Sequence, residues 1–224
     1  MGIPGFAQSA DDLYAERESL PSAIRAAAIW TGDTERDPSA FDPAWKLARV
    51  CYWLGTHAPD RERRGYLERG VASAQRAARL APARPEGHFW AAATMGALAE
   101  GYGLRAGLKY RKAIRESLET ALRIDPPFMA GSPDRALGRY YHKVPALFGG
   151  SLTRAEQHLR ASLRYDAQSP LTHYFLAELL IDLKRPADAR AELQRVLDAP
   201  LEGPWAPEGR IYKQLAAARL ATLR

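Results

Sequence analysis

The sequence predicts an all-α fold: helical hairpins stacked side by side into a solenoid of about five irregular repeats, closed by a C-terminal capping helix. Three observations predict it. Ala, Leu, Arg and Glu dominate the 224 residues, and all four are good helix formers. Strictly alternating runs of Val, Ile and Thr are missing, so no segment reads as a strand. Five helical stretches close alike, at Asp37-Pro38, Ala81-Pro82, Asp125-Pro126, Asp166-Ala167 and Pro200-Leu201; in four of them a proline cannot continue the helix and restricts the residue before it.

Twelve residues before the closings stand Ala26, Gly70, Ile114, Ala155 and Ala189, and four residues further on Trp30, Ala74, Leu118, Leu159 and Leu193. A small residue lets two helices approach closely and a larger one fills the gap between hairpins, which is the second-helix half of the tetratricopeptide pattern. Ile114 departs from it and implies a wider crossing. The first-helix half is carried by Leu137, Gly138 and Tyr141, by Trp45 with Tyr52, and more loosely by Trp90, Ala93 and Ala97 and by Tyr174, Ala177 and Ile181. The closings are 44, 44, 41 and 34 residues apart; only the last interval matches the standard repeat of about 34, so the others carry extra turns near 55–59, 101–103 and 144–150.

The elements follow in order: helices near 10–18, 21–36, 42–55, 60–81, 85–100, 104–124, 133–143, 151–165, 170–184, 186–198 and 207–223. Ser9 and Ser151 are candidate N-caps, and Pro21, Pro170 and Pro186 suit a first helical turn. The last helix, with Ile211, Leu215 and Ala218 on one face, caps the array. Residues 10–224 read as one repeat domain. Residues 1–9 read either as a flexible N-terminus or as the remnant of a leader, since Gly5 to Ala10 resembles the end of a signal peptide without its charged and apolar regions. Location divides accordingly between periplasmic or otherwise exported and cytoplasmic. No apolar run is long enough to span a bilayer.

These residues resemble a known group. From about Asp11 to Leu223, with Glu86-Gly87-His88-Phe89-Trp90-Ala91, Leu137-Gly138-Arg139-Tyr140-Tyr141 and Val144 to Ser151 as the matching segments, the chain resembles the tetratricopeptide-like T-component of tripartite ATP-independent periplasmic (TRAP) transporters and the helical domain of regulator of microtubule dynamics proteins. The resemblance implies an α-helical repeat fold, an interaction role and, for the bacterial branch, export. The N-terminal cysteine through which bacterial members are lipid-anchored has no counterpart near Met1.

Chemistry-bearing motifs are absent from the sequence. The histidines, His57, His88, His142, His158 and His173, have no short metal-ligand spacing, and no nucleophile elbow or phosphate loop occurs. The lone cysteine, Cys51, excludes an internal disulfide and reads as a small buried residue. The expectation is therefore a non-enzymatic protein without cofactor or metal that binds in a groove. First-helix positions one turn off the packing positions give the expected lining: Lys46, Val50, Trp53, His88, Met95, Arg135, Arg139, His142, Phe175 and Asp182. The apolar Leu147 and Phe148 of the 144–150 loop either plug the array, the favoured reading, or form a contact patch for a partner subunit.

The expected partner is another protein, among the candidates a transporter's solute-binding subunit or a second copy of the chain. A carrier of a small apolar or anionic ligand is the alternative, and with a net charge of +6 an arginine-mediated nucleic-acid binder is a third. Arg105, Lys109, Arg111, Lys112 and Arg115 crowd the start of one helix, either as an acidic docking site or as a solvated face.

Overall fold

In the computed structural model, which describes residues 8–223, eleven α-helices follow one another: α1 (Ala10–Ala15), α2 (Leu20–Arg36), α3 (Phe41–His57), α4 (Asp60–Leu80), α5 (Pro85–Gly101), α6 (Gly103–Ile124), α7 (Phe128–Lys143), α8 (Leu152–Ser162), α9 (Pro170–Asp182), α10 (Pro186–Asp198) and α11 (Ala206–Thr222). Apart from α7, the expected helix starts hold to within one residue, whereas α1 and α8 end three residues earlier than expected, at Ala15 and Ser162. Ser9 and Ser151 cap α1 and α8 through their side chains, and each satisfies a backbone N–H that has no partner inside the helix. Ser19 and Ser169 do the same for α2 and α9 just ahead of Pro21 and Pro170. The chain divides into two compact units after Ile114.

In the first unit α2, α3, α4 and α5 pack in succession, with α3 also against α5. In the second, α7 pairs with α8 and α9 with α10, α8 and α10 each touch the next helix, and α9 meets α7 and α11. This is the hairpin order of a tetratricopeptide array, in which every second helix contacts its own partner and the following first helix.

The small–large positions explain that order. Ala26, Gly70, Ile114, Ala155 and Ala189 are all buried, as are Trp30, Ala74, Leu118, Leu159 and Leu193. A methyl added at Gly70 would lie 2.8 Å from Thr94 Cγ2 and 3.0 Å from Cys51 Cβ, so this glycine of α4 is where α3 and α5 close in. Gly138 plays the same part in the second unit, where a Cβ would meet Leu159 Cγ at 2.6 Å. The first-helix glycine thus receives the large residue of its own second helix. Full burial of each such leucine stabilises by about 1.5–3 kcal/mol.

Of two local expectations, the start of α7 near 133 is met and the packed face of α11 is corrected. The regular part of α7 begins only after Met129, Ala130 and Gly131, which all have left-handed backbone (φ 47°, 57° and 74°). The two non-glycine members are strained, since a Cβ crowds the following carbonyl there. In α11 the packed face is Tyr212, Ala216 and Leu220, continued by Leu223 just past its end, and it meets Ala177, Leu193 and Val196, whereas Leu215 is 43% exposed. An alanine-rich helix offers two small-residue stripes, and the aromatic contact of Tyr212 with Tyr174, centroids 5.2 Å apart, selects the other one.

Buried polar pairs tie the second unit together. His173 Nδ1 lies 2.6 Å from Glu192 Oε2 and its Nε2 3.0 Å from the Ala167 carbonyl, joining α9 to α10. Burial alone would raise the Glu192 carboxyl, but hydrogen bonds from His173 and Arg195 hold it below the ordinary carboxylate value. His158 Nδ1 lies 2.7 Å from Asp134 Oδ1, joining α8 to α7.

Candidate functional site

In the first unit two of the expected groove positions, Lys46 and Trp53, are met by the chain's own N-terminal segment, through Asp11 and Arg17. Asp11 of α1 accepts from Lys46 Nζ at 2.6 Å and from Arg49 Nη2 at 3.4 Å. Rings and cations then alternate. The Arg49 guanidinium lies 4.9 Å from the Trp45 ring and 3.9 Å from the Tyr14 ring. Arg17 lies 4.8 Å from Tyr14 and 5.2 Å from Trp53, and His57 stacks on Trp53 at 3.8 Å. The Trp53 indole N–H donates to the Arg17 carbonyl at 2.7 Å. Burial lowers the Arg49 guanidinium below its ordinary value, opposed by Tyr14 and Asp11, and the rings take over part of the lost hydration.

Of the expected first-unit lining, only Lys46 and His88 keep partial exposure, and His88 Nε2 faces the Pro82 carbonyl at 3.0 Å. Val50, Trp53 and Met95 are buried in the core, with no face turned outward to a ligand. Cys51 is buried too, and burial pushes its thiol up to about 12, which leaves it uncharged and poorly nucleophilic.

In the second unit the expected residues do come together. Arg139 of α7 pairs with Glu178 of α9 and lies 4.8 Å over the Phe175 ring, and Lys143 Nζ reaches Glu178 at 3.8 Å. One turn along, His142 Nε2 lies 2.7 Å from Asp182 Oδ2. The His142 side chain is only 2% exposed and its Nδ1 is buried without a hydrogen-bond partner. Burial holds this imidazole below its ordinary value, against the pull of the Asp182 hydrogen bond. Arg135 is buried against Ser132 Oγ at 2.5 Å and lines, with Trp205 and Ser169, a pocket of about 20 Å³, room for a single water.

Directly after Lys143 comes the 144–150 loop, where the favoured plug reading fails. Leu147 is 88% exposed on a 3-10 turn over Ala146–Phe148, while Phe148 is half-buried. The turn is held rigidly: Phe148 N and Gly150 N donate to the Pro145 carbonyl, and Ser151 N donates to the Tyr141 carbonyl at 2.9 Å. An apolar side chain is thus held in water on the turn that follows α7, the helix of Arg139 and Lys143.

Sequence reasoning missed Asp11, Tyr14, Arg17 and Arg49, and also Lys143 and Glu178. Glu178 could have been found, lying three residues after Phe175 and four before Asp182 on one helical face. The others are joined across some 35 residues of chain, as the Trp53–Arg17 bond is, and leave no local periodicity. Among the described residues no group of three or more His, Cys, Asp or Glu is placed to hold a metal ion, and no helix is long and apolar enough to cross a membrane.

Comparison with known proteins agrees with the hairpin architecture. The family described as regulator of microtubule dynamics protein 1-3 matches residues 6–147, and a tetratricopeptide repeat family matches residues 149–202. A thermophilic TPR protein of Thermus thermophilus superposes with a TM-score of 0.68 at 19% identity, over 93% of this chain and 96% of that one. The TPR protein YrrB, described as having an unusual peptide-binding site, superposes with a TM-score of 0.51 at 14% identity, over 91% and 92%. No curated protein matches in sequence. At these identities the structural matches speak for the fold alone.

Proposed function

The chain belongs to the regulator of microtubule dynamics protein 1-3 family, and from that premise we propose that it is a non-enzymatic helical-repeat scaffold that docks another protein on the α7–α9 face and the adjoining 144–150 loop. The observation that carries the reading is Leu147, 88% exposed on a hydrogen-bonded turn. An exposed leucine alone is ordinary. A leucine fixed on a turn that three backbone bonds hold rigid is pre-organised, so docking it costs little ordering entropy. The helix that leads into this turn adds polar groups, Arg139 and Lys143 paired with Glu178 of α9 and His142 with Asp182, and protein contacts combine an apolar centre with polar groups at the rim. The tetratricopeptide fold itself favours protein partners, and the peptide-binding site described for YrrB supports a polypeptide ligand.

The test is affinity capture from the source cell with the wild-type chain, Leu147→Asp and Arg139→Glu, with helicity checked by circular dichroism. The reading expects one set of polypeptides lost from both variants while helicity stays intact. Recovery of the same set by all three chains contradicts it. A small-ligand carrier would be indifferent to Leu147→Asp, and an arginine-mediated nucleic-acid binder would respond to Arg139→Glu alone.

A further inference from the structure

On α2 the residues Arg25, Ala28, Gly32 and Glu35 follow one another at spacings of three, four and three, so they form one seam along the helix. Ile24 and Ile29 flank it, and the buried residues of α2, Trp30 among them, lie on the opposite side. The seam is turned to solvent: Ile24 and Ile29 are 39% and 40% exposed, and Arg25, Ala28 and Glu35 are exposed with them. A Cβ on Gly32 would meet nothing within 4 Å, so this glycine, unlike Gly70, serves no close crossing inside the chain. α1 and α2 open the array, and the outward face of an end repeat is normally polar. The outward positions of α4 follow that rule, with Arg61, Arg64, Glu68, Gln75 and Arg79. On α2 four of the six seam and flank residues are apolar, so this face is not built as a solvated one.

The charges at the two ends of the seam match each other, but not within one molecule. Among the described residues neither Arg25 nor Glu35 has an ion-pair partner, while Asp33 and Arg36 beside them pair at 2.9 Å. At the helical rise Arg25 and Glu35 lie about 15 Å apart, out of reach of one another. A second α2 laid antiparallel, about a two-fold axis level with Trp30, brings both sets together. Arg25 of each copy then meets Glu35 of the other, and Ala28 of each meets Gly32 of the other. The seam is thus self-complementary, as an interface between identical surfaces requires. Its small central residues let the two backbones approach, and Ile24 and Ile29 close over the flanks. We propose that a second copy of this chain docks here, giving an antiparallel α2–α2 dimer. α2 has 17 residues, about 25 Å of helix, so the contact lies at the small end of specific interfaces and the dimer is reversible. The surface belongs to the first unit, and the proposal does not rest on the α7–α9 reading.

Sedimentation velocity of the full chain, from about 2 to about 200 µM, tests the proposal. The weight-average mass should rise from monomer toward dimer across the series. Arg25→Glu sets like charges against each other and should raise the dissociation constant about tenfold or more. Arg25→Glu/Glu35→Arg should restore it to within about threefold of wild type. The two positions cannot touch within one chain, so rescue reports contact between copies. Both side chains are exposed, and circular dichroism should show unchanged helicity; if Arg25→Glu loses helicity, Glu35→Arg takes its place with the same expectation. Leu147→Asp should dimerise as the wild type does. A wild type that stays monomeric at about 200 µM, a dimer indifferent to Arg25→Glu, weakening without rescue, or loss of the dimer with Leu147→Asp would each overturn the proposal.

Discussion

The guanidinium of Arg49 lies 3.9 Å from the ring centroid of Tyr14, and through this stack the short helix α1 is fastened to α3. Asp11 closes the same contact from the other side. A cation held between rings in a partly buried site contributes about 1–2 kcal/mol. Tyr14→Ala and Arg49→Lys should each destabilise the protein, the lysine because it cannot stack its charge flat on a ring. In a urea double-mutant cycle the two should couple by about 0.5–2 kcal/mol. Strict additivity would mean that the stack carries no energy.

Gly70 and Gly96 make a matched pair within the first unit. A Cβ at Gly70 meets Thr94 and Cys51 at 3.0 Å or less, while one at Gly96 meets nothing within 4 Å. Gly70→Ala should therefore lower stability by about 1–3 kcal/mol through overpacking. Gly96→Ala, inside α5, should raise it by about 0.4–1 kcal/mol by restricting the unfolded chain. Opposite signs in thermal or urea unfolding are the check, and a neutral Gly70→Ala would remove the close crossing from the explanation of the fold.

His142 gives a pH dependence with a definite sign. Its folded value is lowered from 6.5, chiefly by burial, with Lys143 and Arg139 acting in the same direction and Asp182 opposing. The folded state therefore resists protonation more than the unfolded state does. The stability linked to this group is complete above about 6.5 and is lost as pH falls from there through the folded value. Urea midpoints at pH 7.5 and 5.5 should differ more for the wild type than for His142→Gln. An equal or larger difference in the variant would contradict the assignment.

The parts of the fold legible in sequence are those that chemistry makes local. Ala155 and Leu159 announced a close crossing because small and large residues one turn apart must share a face, and both are buried. Ser9 and Ser151 announced helix starts because their hydroxyls cap their own helices. What stayed hidden depends on partners remote in sequence. Tyr14 and Arg49 are 35 positions apart, and no pattern in either helix names the other. Val50, Trp53 and Met95 were expected in a groove because one turn separates a groove position from a core position, and an apolar residue fits both. Leu147 was expected to be a plug because apolar loops usually find cover, yet the bonds from Phe148 and Gly150 to the Pro145 carbonyl hold it outward. Arg139, His142, Phe175 and Asp182 do meet between α7 and α9, Arg139 over the Phe175 ring and His142 with Asp182, because residues at one-turn spacing on two packed helices share the facing sides.

The most direct measurement is photocrosslinking in the source cell from a photoreactive amino acid placed at Leu147, with Arg190, an exposed residue of α10, as the control position. A docking surface on the loop and the α7–α9 face predicts one discrete crosslinked polypeptide from position 147, absent from position 190 and abolished by Arg139→Glu. The same products from both positions, or a crosslink at 147 untouched by Arg139→Glu, would contradict it.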